Sequence, residues 1–139
     1  MWGLPYAPDL DLGLHNAWFN GYLPVNQGFA DATVAELDRE PGAAVFFHDY
    51  HLYLAPRFVR DARPDARLAH FVHIPWPQTD YWFVLPLHIR RAVHDGLLAN
   101  DSVGFHTSLC RRSFMRPAGD PFGASGDWAG DRLGYEGRN

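Results

Sequence analysis

Two apolar runs separated by a helical pattern constrain the fold of this chain more than any other feature. The runs are Ala43–Phe47 and Leu68–Val72, and polar residues follow each at once, His48–His51 after the first and His73–Pro75 after the second. Strand, helix and strand at this spacing predict a βαβ unit. Because ligands of open parallel sheets bind outside the carboxyl ends of the strands, both polar clusters are candidates for a binding site.

The rest of the chain continues the alternation of helices and strands. The further elements predicted are a helix from Trp18 to about Arg39, a helix over Leu52–Ala62, a helix over Leu87–Leu98, a strand over Ser102–Phe105 and a helix from His106 to about Met115. Residues 1–17 and the glycine-rich residues from 117 onward predict loops, with a weak hairpin around Leu133–Tyr135. The prediction is an α/β fold with a parallel sheet flanked by helices, in which the apolar run Ala43–Phe47 is buried on both faces.

The composition argues against several functional classes. A formal net charge of -4 leaves no basic surface for nucleic acid, and no apolar run approaches the roughly 20 residues that span a bilayer. Cys110 is the single cysteine, so no internal disulfide is expected. The first residues lack the basic start and apolar core of a signal peptide, and the expected location is therefore cytoplasmic.

Asp49 is the first candidate site residue, because a carboxylate at a strand's end accepts hydrogen bonds from paired sugar hydroxyls at two oxygens. The competing interpretation is that Asp49 caps the helix that follows, since Asp is favoured at that position. The two roles are compatible. His48 and His51 have a spacing that suits a metal, but no cysteine or carboxylate accompanies them at ligand spacing, so no metal is predicted.

His73 and His106 are the next candidates, since they follow the second and third strands. His73 either donates a hydrogen bond to a ligand oxygen or a developing charge, or bonds to the backbone of its proline-rich loop. Thr107 is a candidate N-cap, and the helix N-terminus beside His106 suits a phosphate. The chain contains no glycine-rich phosphate loop, so a mononucleotide site inside it is not predicted.

Five stretches of the sequence together carry a resemblance to a known family. They are Trp2, Trp18–Asn26, His48–Leu52, His73–Pro77 and Gly96–Thr107. In this order they resemble a Leu-Trp-Pro motif, a signature ending in Val-Asn, and the motifs HDYHL, HIPFP and GLLGAD…GFHT of the trehalose-6-phosphate synthases. Gly3 replaces the proline of the first motif and Trp76 the phenylalanine of the fourth. The tail Tyr135–Arg138 is weakly similar to a later hairpin of that family.

The resemblance implies a retaining glycosyltransferase with two Rossmann-like domains facing a cleft, the GT-B fold. Such an enzyme transfers glucose from UDP-glucose to glucose 6-phosphate, with no cofactor besides that donor substrate. The resemblance places Trp2, Asp49 and His106 on the acceptor sugar phosphate, and His73 at the reacting centre as the catalytic residue. Retaining chemistry in this family is thought to use one face of the donor with the leaving phosphate assisting, so no protein nucleophile is expected.

Two departures from the family's pattern shape the expectations further. The chain lacks the family's first strand, its phosphate loop and the C-terminal domain that binds UDP-glucose. We therefore expect residues 1–116 to form a partial acceptor-side Rossmann-like domain and residues 117–139 a loop or disordered tail, a fragment that is inactive alone and homo-oligomeric only when full length.

The second departure is the run Trp76–Trp82, which differs from the family's usual loop and leaves the acceptor open. The alternatives are a glycerol phosphate or a cyclitol phosphate, as in pseudoglycosyltransferases, or a non-catalytic remnant that binds a sugar phosphate.

Overall fold

The computed structural model of the chain describes residues 8–119, 125–127 and 132–135. Its centre is a three-stranded sheet in the order β1-β2-β3, with all strands parallel. The strands are β1 Ala44–His48, β2 Arg67–Val72 and β3 Ser102–Phe105. A separate antiparallel pair, β4 Ser125–Asp127 and β5 Arg132–Gly134, forms a hairpin. The predicted α/β class with a parallel sheet is confirmed, and so is the hairpin near Leu133.

Helices occupy most of the other described residues. They are α1 Pro8–Ala17, α2 Leu23–Arg39, α3 Ala55–Ala62, α4 Thr79–Trp82, α5 Leu87–Leu98 and α6 Ser108–Gly119. A π-helical turn, Trp18–Tyr22, joins α1 to α2, and a 3-10 turn, Tyr50–Leu52, precedes α3. Among the described residues, no helix has the length and apolarity to cross a bilayer.

Three predictions about these elements need correction. Residues 8–17 are helical rather than loop, because the one glycine inside this stretch, Gly13, weakens a helix by only about 1 kcal/mol. Helix α6 continues past Met115 to Gly119. Strand β1 lies at the edge of the described part of the sheet, and it is not buried on both faces: Phe47 is buried, whereas Phe46 is 56% exposed.

The described helices cover one face of the parallel sheet. On β2 the buried residues are Leu68, His70 and Val72, which alternate with less buried ones and so point to the same face. Val72 and Leu68 each contribute to one of two apolar clusters formed with α2, α3, α5 and α6. Among the described residues, the opposite face keeps Phe46 open to solvent.

A buried arginine ties the sheet to helix α3 at the end opposite the polar clusters. Arg60 is 7% exposed, and its guanidinium donates to the carbonyls of Ala99, Ala66 and Pro64 at 3.0, 2.6 and 2.9 Å. It also donates to Asp101 Oδ1 at 2.9 Å. Asp101 Oδ2 accepts the Leu68 N–H at 2.8 Å, so Arg60 and Asp101 together join α3 to the starts of β2 and β3.

Replacing Arg60 by alanine is expected to destabilise the fold by about 3 kcal/mol, because several buried acceptors lose their donor at once. Urea unfolding followed by circular dichroism measures the change. Arg39→Ala is the control, since Arg39 pairs with Glu36 on the exposed surface of α2 and such pairs contribute less than about 1 kcal/mol. Equal losses in the two variants would contradict the role given to Arg60.

Candidate functional site

Three histidines lie side by side at the carboxyl edge of the parallel sheet. His48 ends β1, His73 follows β2 and His106 follows β3. His48 Nδ1 lies 3.0 Å from His73 Nε2, and the rings of His73 and His106 are 5.6 Å apart. Because the strands are parallel, their carboxyl ends meet at one edge, as the sequence predicts.

The contact between His48 and His73 fixes how their ring protons are arranged. One of the two nitrogens donates and the other accepts, so the pair holds one proton between Nδ1 of His48 and Nε2 of His73. The alternative in which His73 bonds to its own loop backbone is not what the structure shows. When His48 donates, His73 carries its proton on Nδ1 and is able to donate to a ligand.

Asp49 occupies strained backbone beside these histidines. It has φ 60° and ψ -175°, and it is the one residue other than glycine with a positive φ in the described part of the chain. This region of backbone space is almost confined to glycine and costs about 1–3 kcal/mol for other residues. Residues held in such conformations cluster at functional sites, where surrounding contacts outweigh the strain.

The carboxylate of Asp49 does not cap the turn that follows. Asp49 stands at the N-cap position of the turn Tyr50–Leu52 but makes no side-chain cap hydrogen bond. Instead its Oδ1 accepts the backbone N–H of Ile74 at 3.3 Å, across from the neighbouring strand. Its other oxygen accepts no hydrogen bond from any described residue, which leaves it available to a ligand.

The π-helical turn and helix α2 position the turn that follows Asp49. The Tyr22 hydroxyl donates to the Tyr50 carbonyl at 2.5 Å and accepts the Tyr53 N–H at 3.2 Å. Asn26 is fully buried, and its Nδ2 donates to the His51 carbonyl at 3.0 Å. Burial raises the pKa of Tyr22 to about 12, so the phenol keeps the proton it donates.

Asn26 also satisfies the start of helix α3, because its Oδ1 accepts the N–H groups of Leu54 and Ala55 at 3.0 and 3.1 Å. The sequence indicates that Tyr22 and Asn26 belong to a motif but predicts no contact for them. A polar Asn in the apolar pattern of a helix is the one signal that pointed to a buried network.

The remaining predicted site residues have mixed outcomes. Thr107 caps α6 as predicted, since its Oγ1 accepts the Cys110 N–H at 3.2 Å. His51 stacks on Tyr50 with ring centroids 3.9 Å apart, and it does not share a site with His48. Trp2 lies outside the described residues, so its predicted contact with the acceptor stays a prediction.

Two buried histidines also give the fold a pH dependence. Burial lowers the pKa of His70 and of His94 to about 4, whereas the unfolded chain protonates both near the ordinary value of 6.5. Between these values the unfolded state binds more protons than the folded state. The stability that is present above pH 6.5 is therefore lost as the pH falls towards 4.

Replacing His94 by phenylalanine is expected to reduce the steepness of that loss. Each buried histidine contributes a slope of up to about 1.4 kcal/mol per pH unit, and the variant retains the contribution of His70. Urea unfolding at several values between pH 7 and 5 measures the slope. Gly28→Ala is the control, because open space surrounds Gly28 and no ionisable group changes. A slope in H94F equal to that of the unmodified chain would contradict the assignment.

The fold and site together define an α/β domain with its polar groups at the carboxyl edge of a parallel sheet. A sequence profile described as glycosyltransferase family 20 matches residues 4–137. The chain belongs to this family, and the resemblance seen in the motifs is thereby confirmed.

Individual relatives agree with this assignment. The trehalose-6-phosphate synthase of Mycobacterium avium is 39% identical over 101 residues, which are 73% of this chain and 20% of that protein. The validamine 7-phosphate valienyltransferase of Streptomyces hygroscopicus subsp. jinggangensis is 38% identical over 92 residues, 66% of this chain and 18% of that protein. The chain thus spans about a fifth of the length of these relatives.

A solved structure extends the similarity to the fold. The alpha,alpha-trehalose-phosphate synthase (UDP-forming) of Burkholderia xenovorans, solved in complex with glucose-6-phosphate, superposes with a TM-score of 0.61 and 31% sequence identity. The superposition covers 69% of this chain and 20% of that one.

Proposed function

We propose that this chain supplies the acceptor side of a retaining glycosyltransferase site, which transfers glucose from UDP-glucose to glucose 6-phosphate. The observation that carries the proposal is the meeting of Asp49, His73 and His106 at one edge of the sheet, with Asp49 held in strained backbone. The complex of the Burkholderia xenovorans relative with glucose-6-phosphate supports this choice of acceptor. The expected cytoplasmic location stays part of the proposal.

Each residue has a distinct role in the proposed site. The free carboxylate oxygen of Asp49 accepts from hydroxyls of the acceptor sugar, and His106, beside the N-terminus of α6, contacts the acceptor phosphate. His73 donates from Nδ1 to a hydroxyl of the transferred glucose or to the charge that develops there, and His48 donates from its Nδ1 to the other nitrogen of His73, which holds that tautomer.

Replacing Asp49 by asparagine is expected to weaken the binding of glucose 6-phosphate to this chain about tenfold, because a charged acceptor is lost. Amide chemical-shift changes during a titration measure the dissociation constant, and they are expected to centre on residues 48–51, 73–74 and 106–107. Asp61→Asn is the matched control, since Asp61 pairs with Arg57 on the surface of α3. Absence of binding to the unmodified chain, or equal affinity in D49N, would overturn the proposal.

A second candidate is a cyclitol phosphate acceptor, which the similarity to the validamine 7-phosphate valienyltransferase favours. Both candidates carry a phosphate and a polyhydroxylated ring, so His106 and Asp49 suit either. Competition between glucose 6-phosphate and validamine 7-phosphate in the same titration separates them. Tighter binding of the cyclitol phosphate would transfer the proposal to that acceptor, and tighter binding of glucose 6-phosphate would retain the first.

A further inference from the structure

His70 is a polar residue on the most buried face of the sheet. It lies in the middle of β2, between the buried Leu68 and Val72, and is 1% exposed. Its ring stacks on Phe47 at 6.1 Å and lies 5.5 Å from the ring of Tyr53. An imidazole in such surroundings needs a hydrogen bond to offset the loss of water, and an apolar side chain of similar size would need none.

The hydrogen bond that His70 makes leads directly to the candidate site. Its Nε2 lies 3.0 Å from the backbone carbonyl of Asp49. A carbonyl only accepts, so Nε2 carries the proton and donates it. Nδ1 is the unprotonated nitrogen, because burial lowers the pKa of His70 to about 4 and keeps the ring neutral near pH 7. Nδ1 has no partner among the described residues, which makes the bond to Asp49 the polar interaction of this ring.

Three hydrogen bonds restrain Asp49, and His70 makes one of them. The Asp49 N–H donates to the Phe71 carbonyl at 2.8 Å, and the carboxylate accepts the Ile74 N–H at 3.3 Å. His70 holds the third point, the carbonyl. Rotation of Asp49 from φ 60° to a negative φ would relieve its backbone strain, and that rotation moves the carbonyl and the carboxylate together. The His70 N–H on the buried side opposes this rotation, because an Asp49 carbonyl that turns away loses its hydrogen bond to His70.

We infer that His70 is a positioning residue, which holds the Asp49 peptide in its left-handed conformation and so keeps the Asp49 carboxylate facing the acceptor. The inference rests on the acceptor-binding role proposed for Asp49. It gives a reason for a polar side chain at the centre of an otherwise apolar face. It also connects the buried core to the site through one hydrogen bond.

Three substitutions test this role in the 139-residue chain. His70→Phe keeps an aromatic ring against Phe47 and Tyr53 but removes the donor. His70→Gln restores an N–H at a position close to that of imidazole Nε2. His94→Phe is the matched control, since it places the same ring at another buried histidine, whose Nδ1 contacts the Arg90 carbonyl within α5.

Two measurements are made on each variant. The first is the dissociation constant for glucose 6-phosphate from amide shifts. The second is the nuclear Overhauser effect between the amide and α hydrogens of Asp49, which is strong when φ is positive because the two hydrogens are then close together. A substitution that only lowers the stability of the fold is not expected to change the dissociation constant and the Asp49 signal selectively.

H70F is expected to bind glucose 6-phosphate about tenfold more weakly and to lose the strong Asp49 signal, whereas H70Q stays within about threefold of the unmodified chain. H94F is expected to change neither quantity. An H70F variant that keeps both the affinity and the Asp49 signal would overturn the inference. If H70F does not fold, His70→Asn replaces it, because the shorter amide does not reach the carbonyl, and equal results for H70N and H70Q would then overturn it.

The test separates this inference from the proposed function. If the unmodified chain does not bind glucose 6-phosphate, the proposed acceptor fails. The Asp49 signal still decides whether His70 holds the strained peptide. If the unmodified chain binds and H70F binds equally well, the proposed acceptor stands and the role of His70 fails.

Discussion

The parallel hydrogen-bonded ladder through β2 is the interaction on which the site depends. Strand β2 pairs with β1 on one side and with β3 on the other, and β1 and β3 do not pair with each other. The residues that follow the three strands therefore meet at the same edge only because β2 lies between β1 and β3. Evenly spaced parallel pairing holds the three strand ends side by side. His73, which leaves β2, accordingly contacts His48 on one side and His106 on the other.

The second constraint is the left-handed conformation of Asp49, which local sequence does not favour. Its cost is offset by groups that come from distant parts of the chain. Tyr22 of the π-helical turn and Asn26 of helix α2 hold the turn after Asp49, while His70 and the backbone of β2 hold Asp49 itself. The same turn is thus fixed from a helix on one side and from a strand on the other. Such over-determination lets a strained residue persist and present its carboxylate in one orientation.

The pattern of apolar residues in the sequence predicted the elements in which that pattern is regular, and the predictions were wrong where it is not. Strand β2 and helix α5 have the predicted limits, since a largely apolar run that contains His70 marks the strand and a repeat of apolar residues marks the helix. Helix α1 was missed because Pro8 and Gly13 within it are typical of a loop. The burial of β1 was predicted wrongly because a continuous apolar run does not reveal whether a second layer covers it. The N-cap role of Asp49 failed for a related reason, since the competing partner, the Ile74 N–H, is far away in sequence.

The sequence by itself determined the class of fold, the family and the three polar clusters that follow the strands. These depend on local periodicity and on motif order, which are properties of the linear chain. Only the tertiary structure decided which atoms of those clusters meet: the proton shared by His48 and His73, the positive φ of Asp49 and the bond from His70 to its carbonyl. The reason is physical. Both hydrogen bonds join residues more than twenty positions apart, and their geometry follows from strand register and burial, which no local pattern encodes.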